Sequence, residues 1–193
     1  YPQHPEKLQE LQLTPGSYYL IVGRLIPDNN AELLIDGFAA AGSSKKLIIV
    51  GDVPYRDRYA NKMKEKASDK IIFLGYIKDA DLLAELYHHC FAYLHGHAFG
   101  GTNPSLLKAL AYGCAVMAIN TRFSAEMLSN GQYGLFFEHN PQSVAQLMRE
   151  SEQEPEKLAH FRAIAREGLG IKYNWDAVTN AYLAVLNKLQ QRS

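Results

Sequence analysis

Six short stretches of this chain are apolar from end to end rather than alternating, and that pattern constrains its fold more than any other feature. They are Tyr18 to Val22, Leu47 to Val50, Ile71 to Leu74, Phe91 to Leu94, Ala115 to Ile119 and Leu135 to Phe137, and each reads as a strand. A strand with one wet face alternates polar and apolar residues. One without polar positions is buried on both faces, the condition of a parallel sheet covered by helices. The segments between them fit. Asn30 to Ala41, Tyr55 to Ala67, Asp79 to His89, Pro104 to Tyr112 and Ser124 to Leu128 place apolar residues at three- and four-residue spacings. Beyond Asn140 the pattern is wholly helical, through Pro141 to Glu150, Pro155 to Glu167 and Trp175 to Gln190. The expected fold is α/β: a Rossmann-like parallel sheet of about six strands flanked by helices, with a helical C-terminal segment. No internal repeat or low-complexity tract interrupts it.

At 193 residues the chain is long enough for one substantial core and short for two. With 47% apolar and 21% charged residues it reads as globular. Twenty basic and twenty acidic residues cancel, which argues against a nucleic-acid or membrane partner held by bulk charge. Cys90 and Cys114 each open an apolar run and read as reduced core thiols, in keeping with a cytoplasmic setting. No apolar stretch approaches the roughly 20 residues that span a bilayer. The start YPQHPEKLQE has no signal architecture, and the lack of Met at position 1 reads as the mark of a fragment.

In sheets of this kind ligands bind outside the carboxyl ends of the strands. The strand ends read Gly23 and Arg24, then Gly51 and Asp52, then Gly75 and Tyr76, then His95, Gly96 and His97. Turn geometry accounts for any one of these glycines. Four together would let a flat phosphorylated ligand lie along the sheet edge, with Arg24 as a forked cation for a diphosphate; the plainer role for Arg24 is a surface salt bridge. After the fourth strand comes HGHAFGGTNPSLLKALAYG. Asn103 is a good helix cap and Pro104 suits the first helical position, so the amides of roughly residues 101 to 105 are expected to point unpaired into the loop. Such a helix start favours an anion, and Gly100 and Gly101 leave the backbone open to it. The alternative is a tight turn with no ligand. Other chemistries fare poorly. The first turn, VGRLIPDNN, holds no GxGxxG, and the chain shows neither a Walker-type loop nor a GxSxG elbow. There is no DxD pair, and the isolated HGH at 95 to 97 is too little for a metal site, so no metal or other cofactor is expected.

Taken in order, VGRLIPDNNAELLIDGF, LIIVGD, IIFLGYI, FAYLHGHAFGGTNPSLLKALAYGCAVMAIN and YNWDAVTNAYLAVL resemble the C-terminal, donor-binding half of GT-B-fold glycosyltransferases of the retaining, family-four kind, close to the rhamnosyltransferase-like branch. The resemblance runs from Tyr18 to Leu189. It implies that Arg24 contacts the donor diphosphate, that Gly100 to Asn103 cradle phosphates and sugar, and that Gly75, Tyr76 and Ile77 lie near the base. It implies one lobe of two: residues 1–17 as the linker from a missing N-terminal lobe that carries the acceptor site and any peripheral membrane contact, and 18–193 as the donor domain. The final helix, with Trp175, Tyr182 and Leu186 on one face, would run back toward that lobe, or else pack on the sheet. The fragment alone is then expected to bind a nucleotide sugar without turning it over.

Two departures from the family pattern stand out. The lysine common five residues beyond the arginine is Asn29 here. Of two glutamates eight residues apart, the second position holds Lys108, while the first falls on Gly100, or on His97 if the loop is longer. An ammonium donates to a ribose oxygen but cannot accept from its hydroxyls. Backbone amides with His97, Thr102, Asn103 and Ser105 are expected to compensate. Arg24 and a neutral His97 are the candidate catalytic groups; donor binding is expected from them together with Gly23, Asn29, Gly51, Asp52, Gly75, Tyr76, Ile77, His95, Gly100, Gly101, Thr102, Asn103, Ser105 and Lys108. The competing expectation is a non-catalytic nucleotide-binding module derived from such an enzyme.

Overall fold

The structure is a computed structural model and describes residues 2, 4–53, 57–170 and 173–190. A short helix α1 (Glu6–Glu10) leads into β1 (Tyr18–Val22). Then follow α2 (Ala31–Ala41), β2 (Lys46–Val50), α3 (Arg58–Lys64), β3 (Ile71–Gly75), α4 (Ala80–His89), β4 (Ala92–His95), α5 (Pro104–Ala111), β5 (Val116–Ile119), α6 (Arg122–Met127) and β6 (Leu135–Phe137). The chain ends in α7 (Pro141–Gln153), α8 (Pro155–Ile164) and α9 (Trp175–Gln190). The six strands form one parallel sheet in the order β3-β2-β1-β4-β5-β6. Among the described residues no helix is long and apolar enough to cross a membrane.

Burial on both faces is realised residue by residue. Along β1, Tyr19 and Ile21 enter one core with Leu34 and Phe38 of α2, Met63 of α3, and Val144 and Met148 of α7. Tyr18 and Leu20 enter the other, with Leu86 and Tyr87 of α4, Leu106 and Leu110 of α5, and Leu128. Each turn of the pleat thus feeds a separate hydrophobic layer. Residues 1–17 are not bare chain: Leu8 and Leu13 are buried in the second core, and Lys7 reaches Asp79 at the start of α4, Nζ to Oδ2 2.6 Å.

Several boundaries differ from the sequence reading, for local reasons. The helix expected from Ser124 starts at Arg122, because Thr121 accepts the Ser124 amide at 3.1 Å as an N-cap. The helix expected from Asn30 starts at Ala31: Asn30 takes a left-handed conformation, φ 51°, after a 3₁₀ turn at Pro27–Asn29. The segment expected as one helix to Glu167 leaves the α conformation after Ile164 and ends as a 3₁₀ turn, Ala165–Leu169. Tyr55 and Arg56, where the third helix was expected to begin, lie outside the described residues, and α3 as described runs Arg58–Lys64. The last helix has the expected bounds but does not pack on the sheet: none of its residues is buried, and Trp175 is 84% exposed.

Helices α2 and α7 approach so closely that a Cβ on Gly37 would stand 2.4 Å from Val144 Cβ. Gly37→Ala is therefore expected to destabilise the fold by about 1–3 kcal/mol through overpacking. Denaturant melts check this, and Gly37→Ala combined with Val144→Ala should lose less than the sum of the single changes.

Candidate functional site

Strands β1 and β4 are neighbours, yet the chain leaves β1 toward β2 and β3 on one side and continues from β4 to β5 and β6 on the other. The loops after them diverge and open a crevice at the topological switch point. Its floor is unusually close-set backbone. A Cβ on Gly51 would stand 2.0 Å from the Gly23 carbonyl oxygen, and one on Gly96 would stand 2.5 Å from the Asn29 carbonyl oxygen. Only glycine admits those approaches. Hydrogen bonds then lace the two loops together. The Ala98 amide donates to the Asp28 carbonyl at 3.0 Å, and Asn30 Nδ2 donates to the Gly96 carbonyl at 2.8 Å. His139 Nε2 sits 3.1 Å from Asn30 Oδ1 and ties in the end of β6.

On one wall is Arg24, solvent-exposed and without a carboxylate partner among the described residues. The surface salt bridge that would explain it plainly is not seen. Asn29 Nδ2 donates to the Arg24 carbonyl at 2.8 Å, so Asn29 shapes the loop that carries the guanidinium. The other wall is the loop before α5. Asn103 caps the helix as expected, accepting the amides of Ser105 at 3.0 Å and Leu106 at 3.4 Å. Its own amide donates to Met127 Sδ at 3.4 Å. This corrects the expectation of free amides across 101 to 105: the cap itself and a sulfur from α6 consume those of Asn103 and Ser105, and Pro104 has none. The amides of Gly100, Gly101 and Thr102 have no backbone partner among the described residues, and a Cβ on either glycine would meet nothing within 4 Å. The open donors lie one step upstream of where the capping rule alone places them.

Between the walls stand two histidines. Strand β4 runs one residue further than expected, so His95 is its last residue and only 3% exposed, held between Tyr93 Oη at 3.5 Å and the ring of His97, which stacks on it at 4.6 Å. His95 therefore meets the crevice through His97. The His97 ring is half-buried over Gly23, and its Nδ1 is buried without a hydrogen-bond partner. Burial, with His97 beside it, lowers the pKa of His95 to about 3; burial, with the Arg24 guanidinium nearby, lowers that of His97 to about 4. Both rings are neutral at physiological pH.

The remaining candidates are placed more loosely. Asp52 pairs with Lys64 at 2.7 Å and accepts the Val53 amide, which hold its carboxyl below the usual range. The Gly51 amide donates to the Gly75 carbonyl at 2.7 Å; Tyr76 is 76% exposed and Ile77 half-buried beyond it. Lys108 is exposed on α5. Thr102 also borders a cavity of about 430 Å³ roofed by Tyr173, Trp175 and Val178. Sequence reasoning missed Asn30, Met127 and Tyr93. Asn30 carried a readable signal, a residue tolerant of left-handed backbone just before a helix; the other two look like ordinary core.

Residues 4–168 match the family described as "Glycosyl transferases group 1". A Campylobacter jejuni relative, the N-acetylgalactosamine-N,N'-diacetylbacillosaminyl-diphospho-undecaprenol 4-alpha-N-acetylgalactosaminyltransferase, is 28% identical over 123 residues, which are 63% of this chain and 33% of the relative. A solved glycosyltransferase from Rickettsia africae superposes on all of this chain with TM-score 0.84 at 16% identity, over 53% of its own length. Anabaena HepE, solved with UDP and with UDP-glucose, superposes on 97% of this chain with TM-score 0.80 at 21% identity, again over 53% of its length. These two show the fold. The chain spans from a third to about half the length of these proteins. With the six-stranded switch-point sheet on the page and the family description covering most of the chain, the chain belongs to the glycosyl transferases group 1 family.

Proposed function

We propose that this chain is the donor-binding half of a retaining, family-four-type glycosyltransferase, one that moves a sugar from a nucleotide diphosphate donor to an acceptor hydroxyl in cytoplasmic polysaccharide biosynthesis. The observation that carries the reading is Arg24, exposed at the end of β1, near His97 and without a carboxylate partner among the described residues, together with the open glycine backbone at 100–101 in the loop after the neighbouring β4. That is an arrangement for an anion with two phosphates. Charge collects on the departing diphosphate in the transition state, and preorganised donors aimed at it are the largest single catalytic contribution in many enzymes. Arg24 supplies the guanidinium; the amides of Gly100, Gly101 and Thr102 supply neutral donors. The reading calls for no metal. HepE binds UDP and UDP-glucose with the same fold, which supports a sugar nucleotide here. Rhamnose as the sugar rests only on the chain's resemblance to the rhamnosyltransferase-like branch, and the acceptor site on the further length that the relatives have.

His97 enters as a neutral partner for the donor. Its lowered pKa removes it as a phosphate-clasping cation, and its buried Nδ1, without a hydrogen-bond partner among the described residues, is a polar group still to be satisfied. Lys108 favours a second reading, a non-catalytic nucleotide-binding module, because it cannot accept from ribose hydroxyls as a carboxylate does. Nearly equal affinity for a nucleoside monophosphate and diphosphate would decide for that module.

Arg24→Ala is expected to weaken binding of the preferred nucleoside diphosphate by about tenfold to a hundredfold, the range of charge-assisted hydrogen bonds, with the melting temperature unchanged. Calorimetric titration checks it, and unchanged affinity overturns the reading. Sugar-nucleotide affinity is expected to be flat from about pH 5.5 to 8, since both histidines stay neutral throughout. A protonated His97 at the phosphates would instead make binding weaken as pH rises through its pKa. A tenfold loss over that range would show such a cation.

A further inference from the structure

The two walls of the crevice come from segments some 80 residues apart, and one buried hydroxyl touches both. Tyr93, on β4, is wholly buried. Its Oη lies 3.3 Å from the carbonyl oxygen of Val22, the residue before Gly23 and Arg24, and 3.0 Å from Ser105 Oγ in the first turn of α5. Ser105 Oγ donates to Asn103 Oδ1 at 2.7 Å, and Asn103 Oδ1 also accepts the Ser105 and Leu106 amides. His95 Nδ1 is 3.5 Å from the same Tyr93 Oη, and His95 stacks on His97.

The protons can be assigned consistently. Ser105 spends its proton on Asn103, so its oxygen is free to accept from Tyr93, while Val22 offers the same phenol a second acceptor. A neutral His95 can donate from Nδ1 to the phenol oxygen. The phenol is thus a hub joined to the end of β1, to the helix cap and to the histidine stack. Its ring packs against Tyr87 with centroids 5.5 Å apart, so Tyr93→Phe keeps the ring packing and removes the hydroxyl alone.

We infer that Tyr93 is a positioning residue for the diphosphate: through Ser105 and Asn103 it fixes the start of α5, with the open amides before it, at a set distance from Arg24. It touches no ligand itself. The inference rests on the proposed donor site. A phosphate grip needs its two walls held in register to a fraction of an ångström, and hydrogen bonds through a buried polar hub specify that register more sharply than apolar packing does.

The test is titration of the parent chain, Tyr93→Phe, Ser105→Ala and the double variant with uridine, guanosine, adenosine and thymidine diphosphates, followed by the nucleoside of whichever binds tightest. Tyr93→Phe is expected to weaken the diphosphate by about threefold to tenfold while leaving the nucleoside unchanged. The double variant should be no worse than the weaker single, because both cut one relay. A merely structural role would lower both affinities together along with the melting temperature, and that result overturns the inference, as does strict additivity. A parent that binds none of the diphosphates overturns the functional reading and this inference with it. A parent that binds, with an unchanged diphosphate-to-nucleoside ratio in Tyr93→Phe, overturns this inference alone.

Discussion

Two-sided burial of the sheet is the constraint from which the rest of this molecule follows. Because Tyr18 and Leu20 point into one core while Tyr19 and Ile21 point into the other, helices must cover both faces, and no face is left for a ligand. Backbone near the middle of the sheet is open to a ligand at the strand ends. Among those, the switch point between β1 and β4 is where the loops part instead of crossing. The position of the site is thus a consequence of hydrophobic burial; the residues that occupy it set only what it can hold.

Within the crevice most polar groups have already found partners. Asn29, Asn30, Asn103, Ser105 and Asp52 spend their side chains on backbone or on one another, and the Asn103 amide goes to a sulfur. Such a network is rigid and gives up little conformational entropy on binding. Among the described residues, the Arg24 guanidinium, the amides of Gly100 to Thr102 and His97 Nδ1 are left without such partners. The site reads as a stiff frame around a few uncommitted donors, the arrangement that lets donors meet developing charge without first reorganising.

How much of this the sequence disclosed depended on the range of the interactions involved. The strands were legible because burial on both faces leaves a continuous apolar run, and the Asn103 cap was legible because a cap acts within three residues. His95 was placed one residue outside its strand because an apolar run ends, to the eye, at Leu94; the histidine continues the ladder opposite Ala118, which only the register shows. Met127 and Tyr93 gave no signal. Their partners lie 24, 71 and 12 residues away, and a thioether or phenol in an apolar run has no local mark distinguishing a structural hydrogen bond from plain packing. Thr121 was the opposite case, a cap three residues ahead of the expected start and readable by the same rule that found Asn103.

The departures from the family pattern bear on what such a frame can discriminate. Where the pattern sets an arginine and a lysine against two glutamates, this chain has Arg24 and Lys108 and neither glutamate, with Asn29 turned inward to the Arg24 carbonyl and Asp52 paired to Lys64. The balance shifts from near neutrality to net positive. On the proposed reading, Coulomb attraction for a diphosphate is thereby kept, because Arg24 and Lys108 are opposed by neither of the family's glutamates. Hydroxyl acceptors are what the change removes, and a sugar is told from its epimers largely by groups that accept from its hydroxyls. On the proposed reading, such a crevice would hold the phosphates through Arg24 and the loop amides, and the groups it presents to a sugar would be neutral ones such as His97 and Thr102. Discrimination among donor sugars, on that reading, would rest on the shape of the loop, which the hydrogen bonds of Tyr93, Asn103 and Asn30 hold, more than on charged hydrogen bonds to the ring.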